Sequence, residues 1–536
     1  MKTKLLLFLF AFFISKINAQ QMIYDFSPGI AQSFKKFDQK IYFEGYDTNN
    51  GRALWQSDGT TDNTFLFKDT HDRNDNISTI KTGSAVMNNT FYFIASDENS
   101  AGEIWKTNGT DEGTVKVTNF LNGRVKTLTV VGNFIYFLIT KEDDKLDVWK
   151  TDGTDSGTVL VKEISSIWNI PSFEGQCNNM FMFSIQPAWT GNSRVWRSDG
   201  TSAGTFPVSE EMDGNGSGLV GGIGGTSILT QFITYNNKLY FASRYFLFET
   251  DGTVGNTKKV ATVRNTFLGG LVDYDDVIVV DNSLYLMFVS QKSFINSIGN
   301  ISILKFDTTN NTIVSVYEKN IDKYFFASNL TRIGNSLVFT TSNATEGTEL
   351  VSLNLADNVV SNIGQMAAAN DLQAPGLALS TTLASTIKFN ENQYFIHAGI
   401  DKDNNRKGWI YDLNLKTLEN ISNLDNVRLP FEFNNYLYYT KDGKLWKYSR
   451  NLSNPLIESK SPLVFFPNPS NAFVNIQTEN NNEVESVQIF DLNGKLLSNK
   501  ADFNDNKIDI TSLNQGAYIF KVKVNGTEIS KKIIKK

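Results

Sequence analysis

A single cysteine, Cys177, stands in a chain of 536 residues, so no disulfide can form within it. The fold must then be held by strand pairing and apolar burial, for which 40 Phe and 19 Tyr supply the material. Cys177 lies in Gly-Gln-Cys-Asn-Asn, a turn-like setting in which the thiol reads as incidental rather than nucleophilic. Histidine is almost as scarce. His71 and His397 are far apart, and neither has a second His or Cys at ligand spacing, which excludes ordinary zinc sites of the HExxH or Cys/His kind. GxSxG and the P-loop pattern are both missing. Positive charge is short too: 50 Lys and Arg against 56 Asp and Glu give a formal net charge of −6, with the basic residues scattered except at the C-terminal end. That balance argues against a nucleic-acid partner.

No apolar run is long enough to span a membrane; the run from Leu5 to Ile14 is too short. Preceded by Lys2 and Lys4 and followed by a polar stretch, it reads as the core of a secretory signal peptide over residues 1–19, with Ala19 last before the cut. No cysteine follows the run, so a lipoprotein anchor on a new N-terminal cysteine is excluded.

What the chain has in quantity is one stretch, returned to five times: ALWQSDGTTDNT from Ala53, EIWKTNGTDEGT from Glu103, DVWKTDGTDSGT from Asp147, RVWRSDGTSAGT from Arg194 and FLFETDGTVGNT from Phe246. Each copy reads as strand, turn, strand. Asp58, Asn108, Asp152, Asp199 and Asp251 can fold a side-chain oxygen onto a backbone N–H, and Gly59, Gly109, Gly153, Gly200 and Gly252 accept the positive φ that such a turn demands. The second glycine position holds Gly113, Gly157 and Gly204 but Asn63 and Asn256. Asn tolerates left-handed geometry best among residues with a side chain, so this pattern predicts a second special backbone conformation there. One carboxylate per loop is too few hard oxygen ligands for calcium unless loops converge, and the turns read as scaffold.

The markers Trp55, Trp105, Trp149 and Trp196 fall at intervals of 50, 44 and 47 residues. Upstream of each lies an apolar run, a polar turn, and an aromatic strand such as KIYFEG at Lys40, TFYFIA at Thr90 or FIYFLI at Phe134. Four short strands per ~40–45 residues match the sheets that repeat radially in β-propellers. The rhythm persists after the DGT loop decays, through SLYLMF, SLVFTT, QYFIHA and YLYYTK, for nine units between about Ala31 and Glu458. The expected fold is all-β: a propeller of about eight or nine four-stranded blades over residues 20–458, with the lead-in from Gln20 pairing with the last blade. The five strong units resemble the ELWxxDGTxxGT repeats of surface and secreted proteins of Bacteroidota. That resemblance implies a propeller-like passenger and brings no agreed reaction or ligand.

Two local patterns invite other chemistry. Gly216, Gly218 and Gly221 spell GxGxxG, but β-rich repeats lie on both sides where a dinucleotide fold needs strand and helix, so a flexible loop is expected. Asp401, Asp403 and Asn405 alternate as calcium-loop ligands do, with Asp412 at the twelfth position; Arg406 stands where that loop needs glycine, and a hairpin tip is the better reading. No cofactor is therefore expected, and calcium is the one the sequence leaves open.

From Ser459 the texture changes. Pro462, Pro467 and Pro469 punctuate a linker and domain start, and Asn493-Gly494 and Asn525-Gly526 sit between strand-like runs as hairpin turns do. Residues 459–536 are expected to form a small β-sandwich. Pro467-Asn468-Pro469, the hairpin Asp491-Leu492-Asn493-Gly494-Lys495, the run Leu513-Asn514-Gln515-Gly516-Ala517-Tyr518 and the basic end Lys531-Lys532 to Lys535-Lys536 resemble the C-terminal sorting domain of the Bacteroidota type IX secretion system. The resemblance implies the type IX machinery as partner, a label removed at the surface, and a passenger released or attached to lipopolysaccharide. For the passenger itself the sequence favours a binding or adhesion module for an extracellular glycan or protein. It leaves open a polysaccharide-acting enzyme that gathers carboxylates from several blades, and a purely structural surface module.

Overall fold

The computed structural model describes residues 19–47, 51–69, 83–97, 100–120, 124–125, 127–141, 145–164, 169–187, 194–209, 232–242, 246–263, 272–291, 299–321, 330–343, 347–367, 385–400, 406–449, 463–466, 470–478, 484–491, 495–498, 503–504, 507–524 and 527–536. The chain divides into two compact units, one spanning Gln20–Ser449 and the other holding Arg450–Lys536.

Nine antiparallel sheets build the larger unit among the described residues, in chain order over 30–68, 84–116, 124–164, 169–207, 233–262, 272–321, 331–367, 385–420 and 428–449. Eight have four strands; in the third the first strand is split into Arg124–Val125 and Thr129–Val131, both paired to Phe134–Thr140. The ninth sheet draws three strands from 428–449 and takes its outer strand, Ala19–Asp25, from the other end of the chain. The lead-in therefore does pair with the last unit. Phe26 N–H donates to Gly443 O at 2.9 Å, and Lys444 pairs with Asp25 at 3.0 Å, fastening the two ends.

Second strands such as Phe134–Thr140 are buried at nearly every position, although a sheet with one wet face would alternate. The reason is that both faces of each sheet are covered. In the second sheet Tyr92 joins a core with Ile135 and Phe137 of the third, while Phe91 and Phe93 join one with Tyr42 and Leu54 of the first. Every consecutive pair of sheets shares such a core, and the ninth shares one with the first through Tyr438, Phe433, Phe43 and Trp55. First and second strands are joined by two-residue turns in every sheet but the eighth, and at Asp38-Gln39, Asn88-Asn89, Asn178-Asn179, Asn236-Asn237 and Asn434-Asn435 both residues have φ between 46° and 63°. These are the primed hairpin turns whose twist matches the strands, which is why Asn recurs there.

In the smaller unit two four-stranded sheets share one core: Val474, Ile476 and Ile508 from one, Val487, Ile489, Tyr518, Phe520 and Val522 from the other. The strand Gly516–Val524 buries alternate residues, as a sheet with one inner face requires.

Candidate functional site: the repeated turns

Each DGT turn lies between the third and fourth strands of sheets one to five, and its polar groups are spent on one another. In the third copy the Asp152 Oδ1 accepts from Thr154 N–H at 2.9 Å and from the Thr154 hydroxyl at 2.7 Å. Thr154 Oγ1 then accepts from Gly157 N–H at 2.9 Å. Thr151 and Thr158 hydroxyls meet at 2.8 Å beneath the turn, and Thr158 donates to Thr154 O at 2.7 Å. Ser57–Thr64, Thr107–Thr114, Ser198–Thr205 and Thr250–Thr257 repeat the hydroxyl pair at 2.6–2.7 Å. Asn108 performs the Asp task through its own Oδ1, which shows that the turn needs an acceptor and not a charge. Hydrogen bonds from the Thr154 hydroxyl and N–H hold the Asp152 carboxyl below its ordinary value, and Thr201 does the same for Asp199.

Gly59, Gly109, Gly153, Gly200 and Gly252 have φ of 87–95°. They also lie against the preceding sheet: an added Cβ would overlap the hydroxyl of Tyr438 at Gly59, of Tyr92 at Gly153 and of Tyr136 at Gly200, and Met180 Cε at Gly252. The second glycine position corrects the sequence reading. Gly113, Gly157 and Gly204 do not have positive φ, nor do Asn63 and Asn256. Glycine stands there because a Cβ would overlap the side chain of Asn108, Asp152 or Asp199. Where Asn replaces it, Asn63 Nδ2 donates to Asp58 Oδ2 and Asn256 Nδ2 to Asp251 Oδ2, both at 2.7 Å. The alternation is between leaving room for the carboxylate and bonding to it.

Sequence reasoning missed the cations that act on these turns from the next sheet over. Lys106 Nζ of the second sheet donates to Gly153 O of the third at 2.8 Å, and Lys150 of the third to Gly200 O of the fourth at 2.9 Å. Arg197 of the fourth reaches Gly252 O of the fifth at 3.1 Å. Lys162 adds bonds to Ser202 O and Thr205 O. In the ninth sheet, which lacks the motif, Lys447 at 3.5 Å and Tyr438 at 3.3 Å donate to Gly59 O of the first. The available signal was the basic residue directly after the tryptophan, paired in register with the second-strand tyrosine: Tyr92 with Lys106, Tyr136 with Lys150, Tyr438 with Lys447. In the fifth sheet, followed by a sheet without the motif, this position is Glu249. Burial and then the Asp152 charge push the Tyr92 hydroxyl up, as burial and Asp199 do for Tyr136, so both phenols stay protonated against the turns they touch.

The polar groups of each turn are thus used within the turn and, in three copies, by a cation of the preceding sheet. Among the described residues no group of three or more His, Cys, Asp or Glu side chains could hold a metal ion. Asp412 is buried and accepts from Gln393 Nε2 at 3.0 Å and from Asn414 and Leu415 N–H, while residues 401–405 lie outside the described residues. So do His71 and the GxGxxG at 216–221. His397 is buried between Phe395 and the Arg406 strand, and burial pushes its imidazole down to about 4. Cys177 is buried in the seam between the fourth and fifth sheets, donates to Asn237 O at 3.1 Å, and has its thiol pushed up to about 11 by burial.

In the smaller unit Asp491 and Lys495 close a hairpin through two bonds, Asp491 N–H to Lys495 O at 3.0 Å and Lys495 N–H to Asp491 Oδ1 at 2.9 Å; Leu492–Gly494 and Pro467, Asn468 and Pro469 lie outside the described residues. Tyr518, two residues after Gly516, buries its ring in the core and donates its hydroxyl to Asn514 O at 2.8 Å, while Leu513 packs alongside.

The family description that matches is the secretion system C-terminal sorting domain, over residues 464–536. This domain marks the chain for type IX export to the cell surface or the medium. No curated protein matches the chain. Among solved structures, one from a study of two prolyl endopeptidases is similar at 10% identity and a TM-score of 0.37, covering 73% of this chain and 55% of that one. A puromycin hydrolase is similar at 9% identity and a TM-score of 0.36, covering 69% and 59%. A chain of a nidogen/laminin complex is similar at 12% identity and 0.26, covering 53% and 91%. The chain spans little more than half the length of the two hydrolases, and likeness at these levels carries no activity across.

Proposed function

We propose that residues 20–458 form a closed nine-bladed propeller that works outside the cell as a non-catalytic binding or adhesion module for a glycan or protein. Closure is supported by the repeat of one interlock at the junction of ninth and first sheets, where Lys447 and Tyr438 reach Gly59 O as Lys150 reaches Gly200 O. The observation that carries the binding reading is that the repeated turns are consumed internally. In antiparallel sheets the first–second and third–fourth turns share one edge, and the other connections share the opposite edge. The longer connections, among them 69–83, 208–232 and 368–384, all join strand ends at that opposite edge. One edge is then scaffold, and the other carries the variable segments in which binding residues concentrate.

A glycan array and a surface-protein pull-down with residues 20–458 test this. Retention of one glycan class or one protein, unchanged when Gly153 or Lys150 is substituted, supports the reading. Silence on both, together with hydrolysis of any glycan, would overturn it in favour of an enzyme.

A further inference from the structure

We propose that each DGT turn carries a latent self-modification site, the Asp-Gly or Asn-Gly step itself, and that the hydroxyl residues on either side of the step hold it shut. The chemistry is that of a succinimide. The glycine nitrogen loses its proton and attacks Cγ of the residue before it, an imide ring closes, and water leaves from aspartic acid or ammonia from asparagine. Water then opens the ring at either carbonyl, giving aspartate, or isoaspartate in which the main chain runs through the side-chain carbons.

Two needs of the turn bring this pair of residues together. Asp58, Asn108, Asp152, Asp199 and Asp251 are required as acceptors, and the residue that follows has φ of 87–95°, which selects glycine. A glycine nitrogen, with no Cβ beside it, is the least shielded towards such an attack. Each copy ties both reacting groups elsewhere. The glycine N–H donates to the hydroxyl of the residue before the acceptor: Gly59 to Ser57 at 2.9 Å, Gly109 to Thr107 at 3.0 Å, Gly153 to Thr151 at 2.9 Å, Gly200 to Ser198 at 3.1 Å and Gly252 to Thr250 at 3.0 Å. The attacked group is drawn the other way, its Oδ1 accepting from the N–H and the hydroxyl of the threonine after the glycine in every copy. Those bonds also hold the Asp152 and Asp199 carboxyls below their ordinary value, which depletes the neutral acid, the form from which water leaves. Isoaspartate at Asp152 would lengthen the main chain before Gly153 and displace the Gly153 O that Lys106 holds from the second sheet.

The ninth sheet supplies a comparison within the same molecule. Asp442-Gly443 forms a two-residue turn with φ of 51° and 72°, and Lys441 and Lys444 flank it in place of hydroxyl residues. Peptide mapping of the natural full chain, stored at neutral pH in heavy-oxygen water so that every ring opening leaves a mass label, tests the proposal. In denaturant the Asp-Gly steps of the turns and Asp442-Gly443 are expected to take up label at comparable rates. In the folded protein the turn steps are expected to slow on the order of tenfold or more, and Asp442 distinctly less. Thr151→Val keeps the side-chain shape and removes the acceptor of the Gly153 N–H; it is expected to raise labelling at Asp152 several-fold and leave Asp199 unchanged. Turn steps as fast folded as unfolded, an Asp442 as protected as they are, or a Thr151→Val protein with Asp152 as slow as before overturns the proposal. Should Thr151→Val not fold, the comparison with Asp442 decides by itself.

Discussion

A glycine can be required for two unrelated reasons, and both occur within five residues of the same turn. Gly153 has φ of 93°, where a side chain strains the backbone, whereas Gly157 has ordinary φ and is kept bare by the Asp152 carboxylate above it. The two cases predict different mutational responses. Gly157→Ala places a methyl against the carboxylate with nothing in return, while Gly157→Asn reproduces Asn63 and Asn256, which bond to their turn carboxylates at 2.7 Å. The Asn variant is expected to be the more stable of the two by about 1 kcal/mol, the worth of one hydrogen bond. Denaturant unfolding of both variants checks this, and an Ala variant equal to or better than Asn would contradict it.

At the scale of the sheet, the repeated stretch divides into a half that gives and a half that receives. In sheets two to four the basic residue after the tryptophan acts on the DGT half of the following sheet, so these repeats are complete only with a neighbour folded beside them. Repeat architectures gain stability from such neighbour terms. Gly153→Val puts a β-branched residue at positive φ and against Tyr92, and is expected to lower stability by roughly 1–3 kcal/mol without touching any binding specificity. Lys150→Met removes the bond to Gly200 O and keeps most of the apolar stem; a loss of about 1 kcal/mol is expected. Lys447→Met tests the junction between the ends of the chain, since a closed ring makes its loss comparable to that of Lys150→Met. Thermal or denaturant melts compare the three, and a Lys447→Met protein indistinguishable from the natural one would argue against an equivalent ninth seam.

At the scale of the whole molecule, residues 459–536 are expected to act as an address rather than as part of the working surface. The sorting domain over 464–536 supplies the address for type IX export. Fused to a fluorescent protein that carries a signal peptide, in a host with type IX secretion, residues 459–536 should bring the reporter to the cell surface or the medium. A reporter held in the periplasm would contradict this. Tyr518→Phe in the same fusion removes the hydroxyl that bonds Asn514 O, and is expected to reduce export in proportion to the lost stability of the sandwich.

Period, strand count and the place of the turns were determined by the sequence alone, because they depend on local chemistry repeated often enough to be read: acceptor, glycine and hydroxyl at fixed offsets, and aromatic strands between. The nine units read from the chain correspond to nine sheets among the described residues, and the sorting domain was legible in its motifs. What the second glycine is for could not be read, because Asn in that position suits either a left-handed backbone or a bond to Asp58, and only coordinates separate the two. The partners of Lys150 and Lys447 were equally hidden, since Gly200 O and Gly59 O are backbone atoms that leave no trace in residue identity. Glu174 is one acid among many in the sequence. Its bonds to Thr127 and Thr129 cross a seam, and they are set by how two sheets pack, not by the residues beside it in the chain.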